Sequence, residues 1–156
     1  MLKIREIEEI DNSRIEYIIK TCLDEYNAPH VGTAYSDPNI GRFSYIYKGD
    51  GYKYWVCVNE EDVVMGGVGI GPIVGEYCEL QKMYLLKEAR GSGIAYELIN
   101  IALDYAKKFY NYCYLETLDN MTRAMKFYEN NGFSRTDTKI GDTGHYNCDI
   151  KYIKEL

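Results

Sequence analysis

The order of apolar patterns along this chain predicts an α/β domain, a mixed sheet in a single layer with helices on both sides. Three observations carry that prediction. Short alternating or glycine-thinned apolar segments recur from one end of the chain to the other, three other segments place apolar residues at helical spacing, and turn residues separate them. The resulting order is β-α-(α)-β-β-β-α-β-α-β-β. The stretch around which the rest is organised runs from Glu79 to Ala95, where an alternating half is followed by the glycine-bearing turn Arg90-Gly91-Ser92-Gly93-Ile94-Ala95 and then by a helix.

Leu2 to Ile7 alternates and reads as the first strand. Asp11, Asn12 or Ser13 can cap a helix with the stripe Ile15, Ile18, Ile19, Cys22 and Tyr26, and Pro29 marks where it has stopped. From His30 to Gly51 turn residues are frequent and periodicity is poor, which predicts a loop or short-helix region. Tyr52 to Val58 and Val63 to Ile70 are strand-like, joined by a tight hairpin at Asn59-Glu60-Glu61-Asp62. Gly66, Gly67, Gly69 and Gly71 fit no nucleotide loop, since the offsets fail and Pro72 follows in place of a helix start. They predict a strand thinned for a bulge or a close backbone approach. Glu76 to Leu85 is the central strand. The helix from Gly93 to about Phe109 carries the stripe Ile94, Leu98, Ile101, Ala102, Tyr105 and Phe109. Tyr112 to Thr117 is a short strand, and Asp119-Asn120 caps a helix with the stripe Met121, Ala124, Met125 and Tyr128. Asn130-Asn131-Gly132 gives a left-handed stop. Phe133 starts a strand, a polar turn runs through Gly144, and Asn147 to Ile153 is the last strand. With no repeat, linker or low-complexity tract, residues 1–156 read as one domain.

The composition bounds the function. The chain has 156 residues, 46% hydrophobic and 27% charged, which is ordinary globular usage. Its formal net charge of −6 speaks against nucleic acid as a partner and suits cationic substrates, amines among them. No apolar run approaches the roughly 18 residues of a membrane span, and the N-terminal Met-Leu-Lys-Ile-Arg-Glu lacks a signal-peptide core, so a cytoplasmic protein is expected, with no membrane partner. Cys22, Cys57, Cys78, Cys113 and Cys148 form no C-x-x-C pair and read as reduced core cysteines. With only His30 and His145 available as partners, neither a nucleophilic cysteine nor a metal site is expected.

A strand, a glycine turn and a helix start together make an anion site. The first helical N–H groups lack partners, the dipole is positive there, and glycine lets the backbone approach a phosphate. The Walker spacing is absent, and the dinucleotide fingerprint fails because Tyr96 occupies the place of the third glycine. What fits is Arg/Gln-x-x-Gly-x-Gly/Ala over Arg90 to Ala95. In this the chain resembles the GNAT family of N-acetyltransferases, whose pyrophosphate loop for acetyl-coenzyme A has that form. A second stretch, Asn120-x-x-x-Ala124-x-x-Phe127-Tyr128-x-x-x-Gly132-Phe133, is similar to the family's pattern in which an Asn opens the helix after the fifth strand and a Tyr precedes a Gly-Phe turn. The resemblance covers Tyr52 to Phe133 well and the flanks loosely. The tail from Gly144 to Asp149 is similar to the end of acetyltransferase domains fused to MarR-type regulators.

The resemblance implies a single-domain GNAT (acyl-CoA N-acyltransferase) fold with a mostly antiparallel mixed sheet. It implies acetyl transfer from acetyl-CoA to a small-molecule or peptide amine by direct attack, in a ternary complex, with homodimers common in the family. Amides of Gly91, Gly93, Ile94 and Ala95, with Arg90 and Ser92, would surround the pyrophosphate. Met83, Tyr84 and Leu85 would pair with the pantetheine arm as an added strand does, aided by Asn120, Ala124 and Tyr128. A backbone N–H near Leu85 would polarise the thioester carbonyl. Tyr128 would be the acid for the leaving thiolate, and Glu79, directly or through a water relay, the base. Glu79 and His145 are the candidates for the acceptor side. Each of these side chains also has a plainer use: Tyr128 in the core, Asn120 as a helix cap, Glu79 as a solvated strand residue or ion-pair partner, Arg90 as a surface charge, and His145 as part of a loop. The alternative function from another class is a non-catalytic acyl-CoA-binding sensor or interaction domain.

Overall fold

A computed structural model describes residues 1–156. In chain order it contains β1 (Lys3–Glu6), α1 (Asn12–Glu25), the single turn α2 (Phe43–Ile46), β2 (Lys53–Val58), β3 (Val64–Val74), β4 (Tyr77–Leu85), α3 (Ile94–Ala106), β5 (Tyr112–Thr117), α4 (Thr122–Asn130), β6 (Ser134–Thr136) and β7 (Ile150–Glu155). All seven strands form one sheet in the order β1-β2-β3-β4-β5-β7-β6. Only β4 and β5 run parallel; the other neighbours are antiparallel. The predicted order of elements and the mixed, mostly antiparallel sheet are thus both present.

The core lies on both faces of the sheet. In β2, Tyr54, Val56 and Val58 join Ile15, Ile18, Ile19 and Cys22 of α1, while Trp55 and Cys57 point the other way, to Leu98, Ile99 and Ala102 of α3. Because both faces are covered, β2 reads as a continuous apolar run and not as an alternation. The glycines of β3 serve a close approach. A Cβ on Gly67 would stand 2.5 Å from Tyr54 Cε1 and 2.6 Å from the Trp55 carbonyl oxygen, and one on Gly69 would stand 2.7 Å from Tyr54 Cδ2. The missing side chains leave room for the Tyr54 and Tyr47 rings, whose centroids are 5.2 Å apart.

Opposite those glycines β4 bulges. Gly67 pairs with Tyr84 and Gly69 with Gln81, so Lys82 and Met83 together face Val68. Lys82 takes a left-handed φ of 51° there, and its carbonyl accepts the Tyr54 hydroxyl at 2.7 Å. The bulge therefore rests on a tyrosine that the glycine gap admits.

Several local expectations need correction. The buried face of α3 is Ile94, Leu98, Ile99, Ala102, Leu103 and Ala106, whereas Ile101 and Phe109 of the predicted stripe are 37% and 43% exposed. The helix ends at Ala106, so Phe109 lies in the following turn. α4 has no side-chain cap: it starts at Thr122, Met121 occupies the cap position, and the Asn120 amide is used elsewhere. β3 runs on through Pro72 to Val74, beyond the end of its pairing with β2 at Ile70. β7 begins at Ile150, because Asn147 binds the Val31 and Gly32 carbonyls and holds that stretch off the sheet. Asp11 pairs with Arg5 and the Glu8 amide and does not cap α1. Cys78 and Cys113, distant in sequence, stand side by side across the parallel pair, both thiols free.

Candidate active site

β4 and β5 pair only from Tyr77↔Tyr112 to Glu79↔Tyr114. Beyond Glu79 the two strands separate, and β4 continues to Leu85 with a single neighbour, β3. An apolar groove of about 530 Å³ opens at this split, between β4, the turn before α3, and α4. Of the residues expected to hold a cofactor, Met83, Tyr84, Leu85, Arg90, Gly91, Gly93, Ala95, Ala124 and Tyr128 line it.

The turn is built as an anion site requires. Gly91 and Gly93 have φ of 80° and 85°, a region that disfavours side chains, and Gly93 is the N-terminal cap of α3. The amides of Gly91, Ser92, Gly93 and Ala95 have no acceptor within the protein. The Ile94 amide lies 3.4 Å from Ser92 Oγ, whose hydroxyl donates to the Ala89 carbonyl at 2.7 Å. Two expected contacts, those of Arg90 and Asn120, are placed differently from the sequence reading. The Arg90 guanidinium turns inward, donating to the Leu85 carbonyl at 2.8 and 3.0 Å and to Glu25 at 3.0 and 3.1 Å. The Ile94 side chain is in the core, as its place in the predicted stripe requires. Asn120 stands outside the groove lining, its amide donating to the Tyr26 carbonyl at 2.8 Å.

A second, small cavity of about 50 Å³ adjoins the groove, and Met83, Tyr84, Met121 and Tyr128 line both. Strand alternation populates it: Leu80 and Leu115 face α3, so Glu79 and Gln81 of β4 and Glu116 of β5 face the opposite side. There Glu79 is 4% exposed. Its Oε1 accepts from Gln81 Nε2 at 2.8 Å, and Gln81 Oε1 accepts the Tyr47 hydroxyl at 2.7 Å. The other oxygen, Oε2, accepts no hydrogen bond; His145 Nδ1 is 3.9 Å away. Lys82, at the bulge, donates from Nζ to His145 Nε2 at 2.8 Å and pairs with Asp37 at 3.2 Å. That hydrogen bond assigns the imidazole proton to Nδ1, on the side of Glu79. Glu116 accepts the Tyr114 hydroxyl at 2.6 Å and the Thr143 hydroxyl as well. Thr143 Oγ1 in turn accepts the His145 amide, which fixes the turn that carries the imidazole.

Burial sets the titration of these groups. Desolvation pushes the Glu79 carboxyl up to about 7, against the pull of Gln81 and Lys82. Desolvation, with the Lys82 charge, brings His145 down to about 4, so the ring is neutral at pH 7. Tyr128 is pushed up to about 12 by burial, and its hydroxyl forms no hydrogen bond within the protein.

The sequence reading named Glu79, His145 and Tyr128 but missed Lys82, Gln81, Glu116 and Asp37. A signal for Glu116 did exist: with Tyr112–Thr117 set beside Glu76–Leu85, alternation places it on the face of Glu79. Lys82 had none, since only the bulge turns it inward. The expectation of no metal rested on scattered ligands, yet the fold brings ligand atoms of Glu79, Glu116 and His145 within 4.8 Å of one another.

The model of the acetyltransferase (GNAT) family matches residues 16–133. The chain is 37% identical to the uncharacterized N-acetyltransferase YjgM of Escherichia coli K12, over 98% of this chain and 94% of that one. Among solved structures, a GNAT acetyltransferase from Staphylococcus aureus Mu50 superposes with a TM-score of 0.85 at 21% identity, over 100% of this chain and 99% of the other. The PaiA N-acetyltransferase of Thermoplasma acidophilum, solved in complex with coenzyme A, does so with a TM-score of 0.77 at 18% identity, over 100% and 99%. A family pattern matched over most of the chain, together with a relative this similar along nearly its whole length, makes the protein a member of the GNAT family and an acetyltransferase.

Proposed function

We propose that residues 1–156 form one N-acetyltransferase domain that passes an acetyl group from acetyl-CoA directly to an amine. The observation that carries this reading is the continuity of two unlike spaces: an apolar groove ending in unpartnered amides, and a buried carboxylate pocket, joined at Met83, Tyr84 and Tyr128. The groove suits an acyl-CoA. Four unpartnered amides at Gly91, Ser92, Gly93 and Ala95 can receive the pyrophosphate, and the open edge of β4 at Met83–Leu85, apart from the Leu85 carbonyl that Arg90 holds, offers backbone groups to an extended amide chain. When bound, acetyl-CoA supplies an activated acyl group whose leaving sulfur is a weak base.

The protein's own groups then handle the protons. An alkylamine with a pKa near 10.4 is about 0.1% neutral at pH 7.4. Proton transfer to a carboxylate at its ordinary pKa would be uphill by about 8 kcal/mol, taking about 1.36 kcal/mol per pKa unit. Raising Glu79 to about 7 reduces that to about 4.6 kcal/mol. Gln81 fixes one Glu79 oxygen and leaves Oε2 free to take the proton. Tyr128, protonated throughout the neutral range, stabilises the leaving sulfur as a hydrogen-bond donor. Complete proton transfer from a phenol at about 12 to a thiolate with a pKa near 8.5 would be uphill, so its role is donation.

Calorimetric titration with acetyl-CoA, using ATP and NAD as controls, followed by free-thiol release over a set of amines, tests the reading. Micromolar binding of acetyl-CoA alone and amine-dependent thiol release are expected. An absence of acetyl-CoA binding would refute the assignment of the groove.

A further inference from the structure

The acceptor pocket has a charge imbalance that selects among amines. Two carboxylates, Glu79 and Glu116, and one cation, Lys82, line the cavity, and Lys82 is already paired with a third carboxylate, Asp37, at 3.2 Å. Glu79 and Glu116 are left with neutral donors only: the Gln81 amide on one, and the Tyr114 and Thr143 hydroxyls on the other. His145 presents a neutral ring between them, tied from behind by Lys82. Glu79 is more than nine-tenths buried, yet its Oε2 reaches the cavity without a hydrogen-bond donor. A buried carboxylate with a free oxygen calls for a cationic partner. Lys82 is the only Lys or Arg lining the cavity, and it is already committed to Asp37 and His145, so no cation of this cavity is free to receive a carboxylate on the ligand.

We infer that the acceptor is a cationic alkylamine with no carboxylate near the reactive nitrogen, a mono- or diamine and not an amino acid. Glu116 is the specificity-determining residue, holding the incoming ammonium beside Glu79. The inference rests on the acetyl-transfer reading and sharpens it. An organic ammonium is favoured over a metal ion because the Lys82 ammonium, 2.8 Å from His145 Nε2, leaves the imidazole proton on Nδ1, the nitrogen that would have to ligate. A primary ammonium needs only acceptors, which Glu79 Oε2 and Glu116 provide.

The test compares two molecules of equal length, 1,4-diaminobutane and 4-aminobutanoate, with butylamine as the neutral-tailed reference. The wild-type kcat/KM, read as thiol release with acetyl-CoA, is expected to be at least tenfold higher for the diamine and for butylamine than for 4-aminobutanoate. E116Q, which keeps one carbonyl oxygen for a hydroxyl and turns an N–H to the other hydroxyl oxygen, should shrink that ratio several-fold while acetyl-CoA affinity stays within twofold. Calorimetry of 1,4-diaminobutane on the protein saturated with coenzyme A adds a readout that needs no turnover. Diamine binding without turnover would support the pocket assignment while refuting acetyl transfer. Equal or better turnover of 4-aminobutanoate, an unchanged ratio in E116Q, or neither binding nor turnover of any alkylamine would overturn the inference. Tight zinc or manganese binding lost in H145A, with no alkylamine binding, would overturn it in favour of a metal site.

Discussion

Replacing Glu79 by Gln should make the protein more stable and less active, and the gain in stability should depend on pH. Burial raises the Glu79 pKa from 4.5 to about 7, and at about 1.36 kcal/mol per unit this corresponds to about 3 kcal/mol. The sign follows from proton counting. Below pH 4.5 the folded and unfolded chains both hold the proton, and burial of the neutral acid costs little. Between 4.5 and about 7 the unfolded chain has released its proton while the folded one retains it, so stability falls as pH rises. Above about 7 the full penalty for a buried carboxylate is present. Gln carries no such penalty and keeps an oxygen for the Gln81 amide. Urea unfolding of both proteins at pH 5 and pH 8 should therefore show a difference of about 1 kcal/mol at the first and about 3 kcal/mol at the second, both in favour of E79Q. His145 contributes in the opposite sense. Its pKa is lowered from 6.5 to about 4, so it stabilises the fold above 6.5 and loses that contribution as pH falls toward 4. It is present in both proteins and drops out of the comparison. Thiol release at pH 7 should fall by about 10² or more, the usual size of a general-base contribution. The wild-type activity limb near pH 7 should be missing from the variant. A stability difference that is flat between pH 5 and 8 would refute the buried-carboxylate argument, and full activity in E79Q would refute the base.

Three further substitutions probe separate links. Tyr128→Phe should bind acetyl-CoA as the wild type does and turn over about 10-fold or more slowly, because only a hydrogen bond to the leaving group is lost; calorimetry and thiol release measure the two. Asn120→Ala should leave acetyl-CoA affinity within twofold, since the amide is committed to the Tyr26 carbonyl outside the groove; a tenfold loss in calorimetry would return Asn120 to the cofactor site. Gly67→Ala should destabilise by about 1–3 kcal/mol in urea unfolding, because its Cβ would press to 2.5 Å of the Tyr54 ring and 2.6 Å of the Trp55 carbonyl. The same variant should lose activity, because Tyr54 supports the bulge at Lys82.

What could be read from the sequence was whatever depends on neighbours along the chain, and what escaped depends on neighbours across it. The turn at Gly91 and Gly93 is local: its φ values and unpartnered amides follow from glycine and from the start of a helix, and the sequence pattern located it. The order of elements along the chain likewise follows from turn residues and periodicity. The face of α3 was misjudged because Ile101, Tyr105 and Phe109 satisfy the helical period as well as Ile99, Leu103 and Ala106 do; contact with β2–β4 decides between the two stripes, and spacing does not. The carboxylate pocket lies further out of reach. Glu79 and Glu116 meet because β4 and β5 are parallel neighbours, and Asp37 and His145 arrive on two separate loops. Lys82 faces inward because a bulge interrupts the alternation. That bulge depends on the Tyr54 hydroxyl, which depends on the gap at Gly67 and Gly69. The glycine run was legible as a close approach; what it admits, and that this support reaches the site, requires the fold. Sequence thus locates the glycine turn with its unpartnered amides, while the carboxylate pocket is assembled by strand pairing and by one irregularity within it.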